Sequence, residues 1–173
     1  MPSSPQHDDD AGSAAAAAPV VDYGADAYAR RLKHLMDDRE SRTGTRVLFY
    51  GGVREQRQQA LATLTRYATG NVHQFRGPSL LSAQRMQTQN TLRKAFDHAA
   101  EETAVLYFDQ ADPIFTHSHD DTPDDPAENA VPSTLEYFFD RVEAYAGVVV
   151  LGLQRKRHVE WARPKVHLIV RFE

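Results

Sequence analysis

The chain contains no cysteine, which excludes disulfides, thiolate metal sites and cysteine nucleophiles together. No apolar run approaches the roughly 20 residues that span a bilayer. The N-terminus is acidic (Asp8, Asp9, Asp10), and its apolar part is mostly Ala14 to Ala18. A secretory signal needs a basic start and a stronger apolar core, so the expectation is a cytoplasmic protein without a membrane anchor. Tryptophan is also scarce. Trp161 is the only one, beside basic Arg155-Lys156-Arg157, and a single ring is a poor stacking platform, which argues against nucleic acid as a partner. What is present suits one soluble domain: 173 residues, 41% hydrophobic and 25% charged.

The formal charge of −4 hides a segregation. Between Arg54 and Lys94 there are seven Lys/Arg against Glu55 alone, and between Glu101 and Glu143 twelve acids against Arg141 alone. From Arg155 to Glu173 six Lys/Arg face Glu160 and Glu173. Such blocks are solvated faces of separate elements, or they steer a complementary partner.

Residues 1–19 are Ser, Pro, Asp and Ala without apolar periodicity, and read as a disordered tail. Residues 20–45 hold an amphipathic helix, with Tyr28, Leu32, Leu35 and Met36 at helical spacing, and a linker through Gly44. From residue 46 to 173 strands alternate with helices. Arg46–Tyr50 is a strand, Glu55–Tyr67 a helix, Asn71–Phe75 a short strand and Gln84–Glu102 a longer helix. Val105–Phe108 is a continuous apolar strand, and Thr116–Asn129 a polar, acidic loop. Ser133 with Glu136 predicts a capping box opening a helix to Tyr145, and Gly147 ends it. Val148–Leu153 and Val166–Val170 complete the strands. The pattern predicts an α/β three-layer sandwich around a mainly parallel, five-stranded sheet.

Four segments in this order resemble the core of an AAA+ ATPase, a P-loop NTPase-like family: Leu48-Phe-Tyr-Gly51, Leu92-Arg-Lys-Ala-Phe-Asp-His-Ala99, Val105-Leu-Tyr-Phe-Asp-Gln-Ala-Asp-Pro-Ile-Phe115 and Tyr145-Ala-Gly-Val-Val-Val-Leu151. The resemblance covers about residues 46 to 172. It implies strand order 5-1-4-3-2, with Val47–Tyr50, Val105–Phe108 and Val148–Leu151 adjacent at the centre of the sheet. The chain as it runs to Glu173 supplies no residues for the family's helical lid. The stretch matching the family's pore loop, Ala83–Met86, lacks its aromatic and glycine.

The resemblance also shows where the chemistry has changed. The phosphate loop, expected at Gly51, Gly52, Arg57 and Gln58, has Gln56 for its second glycine, Arg57 for lysine and Gln58 for the hydroxyl that holds Mg²⁺. Gln56 loses glycine's conformations, while a guanidinium can still bind phosphate. Asp109 keeps the metal-side carboxylate, but Gln110 replaces the water-activating glutamate with an amide that cannot take a proton. Gln154 stands at the sensor asparagine. Asp112 matches the family's second aspartate or caps the following turn. Arg163-Pro-Lys165 lies near the family's arginine pair without identifying a finger. The His117-Ser-His119-Asp-Asp121 cluster reads as a solvated loop before it reads as a metal site.

The expected protein is a catalytically impaired AAA+-like core without catalytic residues or a resident cofactor. It binds another protein, with an active AAA+ ATPase or its assembly as the natural candidate. The alternative is residual ATP and Mg²⁺ binding with weak hydrolysis, using Gly51, Arg57 and Asp109.

Overall fold

The computed structural model describes residues 17–68, 70–119 and 133–173. Six strands form one sheet: β1 (Val20–Asp22), β2 (Thr45–Tyr50), β3 (Val72–Arg76), β4 (Val105–Asp109), β5 (Val148–Leu153) and β6 (Leu168–Arg171). Their order is β1-β6-β2-β5-β4-β3, and every pairing is parallel. The expectation of five strands is corrected to six. Counted from β2, the other five run 5-1-4-3-2, with β2, β5 and β4 adjacent and β4 internal. The added strand escaped the sequence reading because three residues carry no periodicity. It is held by register with β6, Val20 opposite Ile169, and is prolonged by Ile169 N–H donating to the Pro19 carbonyl at 2.9 Å. Ala18 is buried, so the chain is already packed one residue before the expected end of the N-terminal tail.

Parity along the strands divides the core in two. Val47, Phe49, Val105, Tyr107, Val150 and Val170 face one layer. That layer is α1 (Ala25–Asp37), through Tyr28, Leu32 and Met36, and α2 (Arg54–Thr65), through Ala60, Leu61 and Leu64. Leu48, Leu106, Phe108, Val149, Leu151 and Ile169 face the other. It contains α3 (Gly77–Leu80), α4 (Arg85–Glu102), α5 (Asp112–His119), α6 (Thr134–Ala144) and α7 (Lys156–Ala162). Because both faces of each inner strand are covered, the strands read as unbroken apolar runs. The capping box stands as expected: Ser133 Oγ accepts from Glu136 N–H at 3.2 Å, and Glu136 Oε2 accepts from Ser133 N–H at 3.3 Å.

Two local readings change. The polar loop expected from Thr116 begins later, because Ile114 and Phe115 are buried and carry α5 to His119; its stretch 120–129 lies outside the described residues, as do Asp120 and Asp121 of the histidine cluster. The segment after β5, given no element from sequence, forms α7 on the burial of His158, Val159 and Ala162. No helix among the described residues is long and apolar enough to cross a membrane.

Candidate functional site

Parallel strands bring all their carboxyl ends to one rim, where open α/β sheets place their ligand crevices. Gly51, Asp109 and Gln154 stand on that rim, at or just after the ends of β2, β4 and β5. Gly51 and Gly52 both have positive φ (+74° and +76°), and a Cβ on Gly52 would lie 2.4 Å from Phe172 Cβ, so the sharp exit from β2 requires glycine. Helix α2 then begins at once, with Val53 as its N-cap. Gln56 Oε1 accepts the Val53 N–H at 3.2 Å. Arg57 N–H donates to the Val53 carbonyl at 3.2 Å, and Gly51 N–H to Leu153 O at 3.0 Å. A phosphate loop holds its backbone donors open around an anion. Here three of those donors are spent within the protein.

Arg57 is the centre of the arrangement. It is a buried cation on α2, 5% exposed. Its Nε donates to Asp109 Oδ1 at 3.1 Å, Nη2 reaches Oδ2 at 3.5 Å, and Nη1 donates to the Gly52 carbonyl at 2.7 Å. Tyr107 donates its hydroxyl to Asp109 Oδ1 at 2.9 Å. Burial pushes the Arg57 pKa down, but hydrogen bonding and charge from Asp109, with a smaller contribution from Tyr107, more than restore it, so the net direction is up. Burial, reinforced by the negative Asp109, raises the Tyr107 pKa and keeps the phenol protonated. The packing depends on Gly152 of β5, whose Cβ would stand 2.9 Å from Asp109 Oδ1.

The other expected site residues surround this pair. Gln58 faces Gln74 of β3, Nε2 to Oε1 at 3.2 Å. Gln110, in the left-handed region at φ 50°, accepts from Arg76 Nη2 at 3.1 Å. Gln154 Nε2 donates to the Gly51 carbonyl at 3.3 Å, tying the end of β5 to the β2 exit. Asp112 is bound to the segment that follows β5. It accepts from the backbone N–H of Gln154 at 2.8 Å and of Arg155 at 3.0 Å, and lies 2.7 Å from His158 Nδ1. Between α2 and the ends of β3 and β4 remains a cleft of about 450 Å³, lined by Arg54, Arg57, Gln58, Arg76, Asp109 and Gln110 among others.

Magnesium with phosphate does not fit this donor set as it stands. Both Asp109 oxygens face Arg57, one also takes the Tyr107 hydroxyl, and Gln58 is turned to Gln74. Arg163 and Lys165 have local tasks: Arg163 Nε donates to the Ala18 carbonyl at 3.1 Å, and Lys165 Nζ lies over the Trp161 ring at 5.4 Å. His117 and His119 lie on α5, and no metal-ligating group of three occurs among the described residues. Tyr107, Arg76, His158 and Gly152 were not foreseen as parts of the site. An isolated glycine inside an apolar strand was the one available signal, since it marks a close approach. Comparison of the chain with protein-family models finds no match, and comparison with curated proteins finds none either.

Proposed function

We propose that the protein is an AAA+-like core whose nucleotide site has become an internal structural clasp, and that it acts by binding another protein rather than by hydrolysis. The observation that carries this reading is the Arg57–Asp109 pair. The side chains at the family's phosphate-binding lysine and metal-side aspartate positions neutralise each other, where a nucleotide site would keep both available. The 5-1-4-3-2 order of the five strands from β2 supports the scaffold, and Gln110 supports loss of chemistry, since an amide cannot act as a general base; Gln154 is a longer amide than the sensor asparagine and sets its dipole differently. The segregated charges suit a heterologous contact with an unlike surface, and an active AAA+ ATPase or its assembly is the partner this reading names.

Isothermal titration with ATP and Mg²⁺ tests the nucleotide half: the expected result is no saturable heat at millimolar ATP. Micromolar binding would overturn it. Affinity capture of a partner, repeated with charge-reversed Arg54 and Arg76, tests the interaction half. A second reading rests on the cleft itself. The Arg54 side chain makes no hydrogen bond or ion pair among the described residues, and Arg76 meets only Gln110. Weak ATP binding through these cations, with slow turnover lost in Asp109→Asn, is the outcome that would favour it.

A further inference from the structure

Strand β3 is the last of the sheet, and the cleft lies at its carboxyl end. Resting on the protein-binding reading above, we infer that the open edge of β3 takes an extended acidic peptide of the partner as an added strand, its carboxylates held by Arg54 and Arg76 at the cleft.

The main chain supplies the first argument. Val105 N–H donates to the Asn71 carbonyl at 2.8 Å, so Asn71, His73 and Phe75 turn their N–H and C=O groups to β4. The alternation of a strand then turns those of Val72 and Gln74 outward. No strand pairs with them, and no backbone hydrogen bond among the described residues reaches them. No proline interrupts β3, and such an edge is a template for a further strand. The opposite edge is poorer: β1 has three residues, and the cation beside it, Arg171, is already held by Asp22 at 2.6 Å.

Charge chooses the occupant. Among the described residues the Arg54 side chain makes no hydrogen bond or ion pair. Arg76 spends only Nη2, on Gln110 Oε1 at 3.1 Å, which leaves Nε and Nη1 free. Both side chains line the cleft, together with Gln58, Gln74 and Phe75. The one carboxylate on its wall, Asp109, is already taken by Arg57 and Tyr107. A carboxylate entering the cleft therefore meets two cations that have no anion of their own.

Strand parity sets the pattern of the peptide. Gln74 bonds Gln58 of α2, so Gln74 and Arg76 share the face of α2 and the cleft. His73 stacks on His98 of α4 at 5.2 Å, and Phe75 on Phe108 at 5.5 Å, so these two lie on the opposite face. An added strand alternates in the same way. Its acidic residues belong on the α2 face and its apolar residues on the Phe75 face, and a slip of one residue puts every acid on the wrong side.

The probe is the acetylated, amidated hexapeptide Thr-Val-Glu-Val-Glu-Val, titrated into the full chain by calorimetry at low salt, with amide exchange read from ¹H–¹⁵N spectra. The expected result is saturable binding, with exchange at Val72 and Gln74 slowed at least about tenfold and Phe75 little changed. The same residues in the order Thr-Val-Val-Val-Glu-Glu should bind about fivefold more weakly. Arg54→Glu/Arg76→Glu should weaken binding at least about tenfold. Gln74→Pro removes an outward N–H and no bond of the β3–β4 ladder, so it should keep the fold and lose the peptide. If that variant does not fold, the hexapeptide N-methylated at every amide carries the test, and it should not bind. The inference is overturned by the absence of saturable binding or by equal binding of the N-methylated peptide. It is also overturned by protection of Val72 and Gln74 that rises with protein concentration alone, which would put a second copy on the edge. A captured partner that is lost with Arg54→Glu/Arg76→Glu yet is not displaced by the hexapeptide overturns the inference and leaves the protein-binding reading standing. ATP that binds more tightly than the hexapeptide and displaces it overturns both.

Discussion

Removing the Asp109 carboxylate should cost far more stability than removing the Arg57 charge, although the two make one ion pair. The side chains are 6% and 14% exposed. In Asp109→Ala the guanidinium stays buried on α2 with no anion, left with the Gly52 carbonyl and the neutral Tyr107 hydroxyl, which itself loses its acceptor. Breaking a buried pair from one side typically costs about 3–5 kcal/mol. For a domain of this size that lowers Tm by roughly 6–20 °C. In Arg57→Met the carboxylate keeps Tyr107 and stands at the mouth of a cleft that water can enter, so the cost should be about 1–2 kcal/mol. The double variant Arg57→Met/Asp109→Leu replaces the pair by apolar volume and should fall within about 1 kcal/mol of the parent. Urea unfolding of the four proteins measures all three differences. If Asp109→Ala unfolds at the parent's midpoint, or the double variant is as unstable as Asp109→Ala, the pair is not a closed internal clasp.

The remaining predictions concern single positions. Burial first, then the charges of Arg46 and Arg42, lower the His167 pKa from 6.5 to about 4. The unfolded chain therefore binds the extra proton between those values, and stability is full above about pH 6.5 and falls as pH drops toward 4. With the ring only half buried, screening reduces the effect to about 1–2 kcal/mol; His167→Asn, which can still accept from Arg46 N–H, should flatten the urea midpoint across that window. Gly152→Ala would push a methyl to 2.9 Å from Asp109 Oδ1 and should cost about 1–3 kcal/mol, measured by calorimetry. Much of that loss should disappear when Asp109 is already alanine. Thr103 closes α4 in the left-handed region at φ 51°, an expensive place for a β-branched residue. Thr103→Gly should therefore leave stability unchanged or raise it by up to about 1 kcal/mol, and a lowered Tm would contradict that account.

Short-range information carried most of the architecture. The apolar runs of β2, β4 and β5, the stripes of α1 and α4 and the capping box at Ser133 are patterns within a few residues, set by the pitch of a helix or the pleat of a strand. The resemblance to an ordered set of motifs extended this to the strand order and to which residues converge on one rim. Residue type alone also indicated that Gln110 cannot do a carboxylate's work. What no local pattern contains is which side chain meets which across the fold. Arg57 and Asp109 are 52 positions apart, and nothing in either neighbourhood says that the cation would turn to the carboxylate rather than to a phosphate. Strand β1 exists because β6 offers an open edge, and three residues cannot announce that by themselves. The Arg54 guanidinium, without an acceptor among the described residues, is likewise a product of packing, since whether a guanidinium finds an acceptor depends on where the carbonyls of other elements fall. Periodicity determined the layers of this protein; the contacts that decide its chemistry arose only when those layers closed on one another.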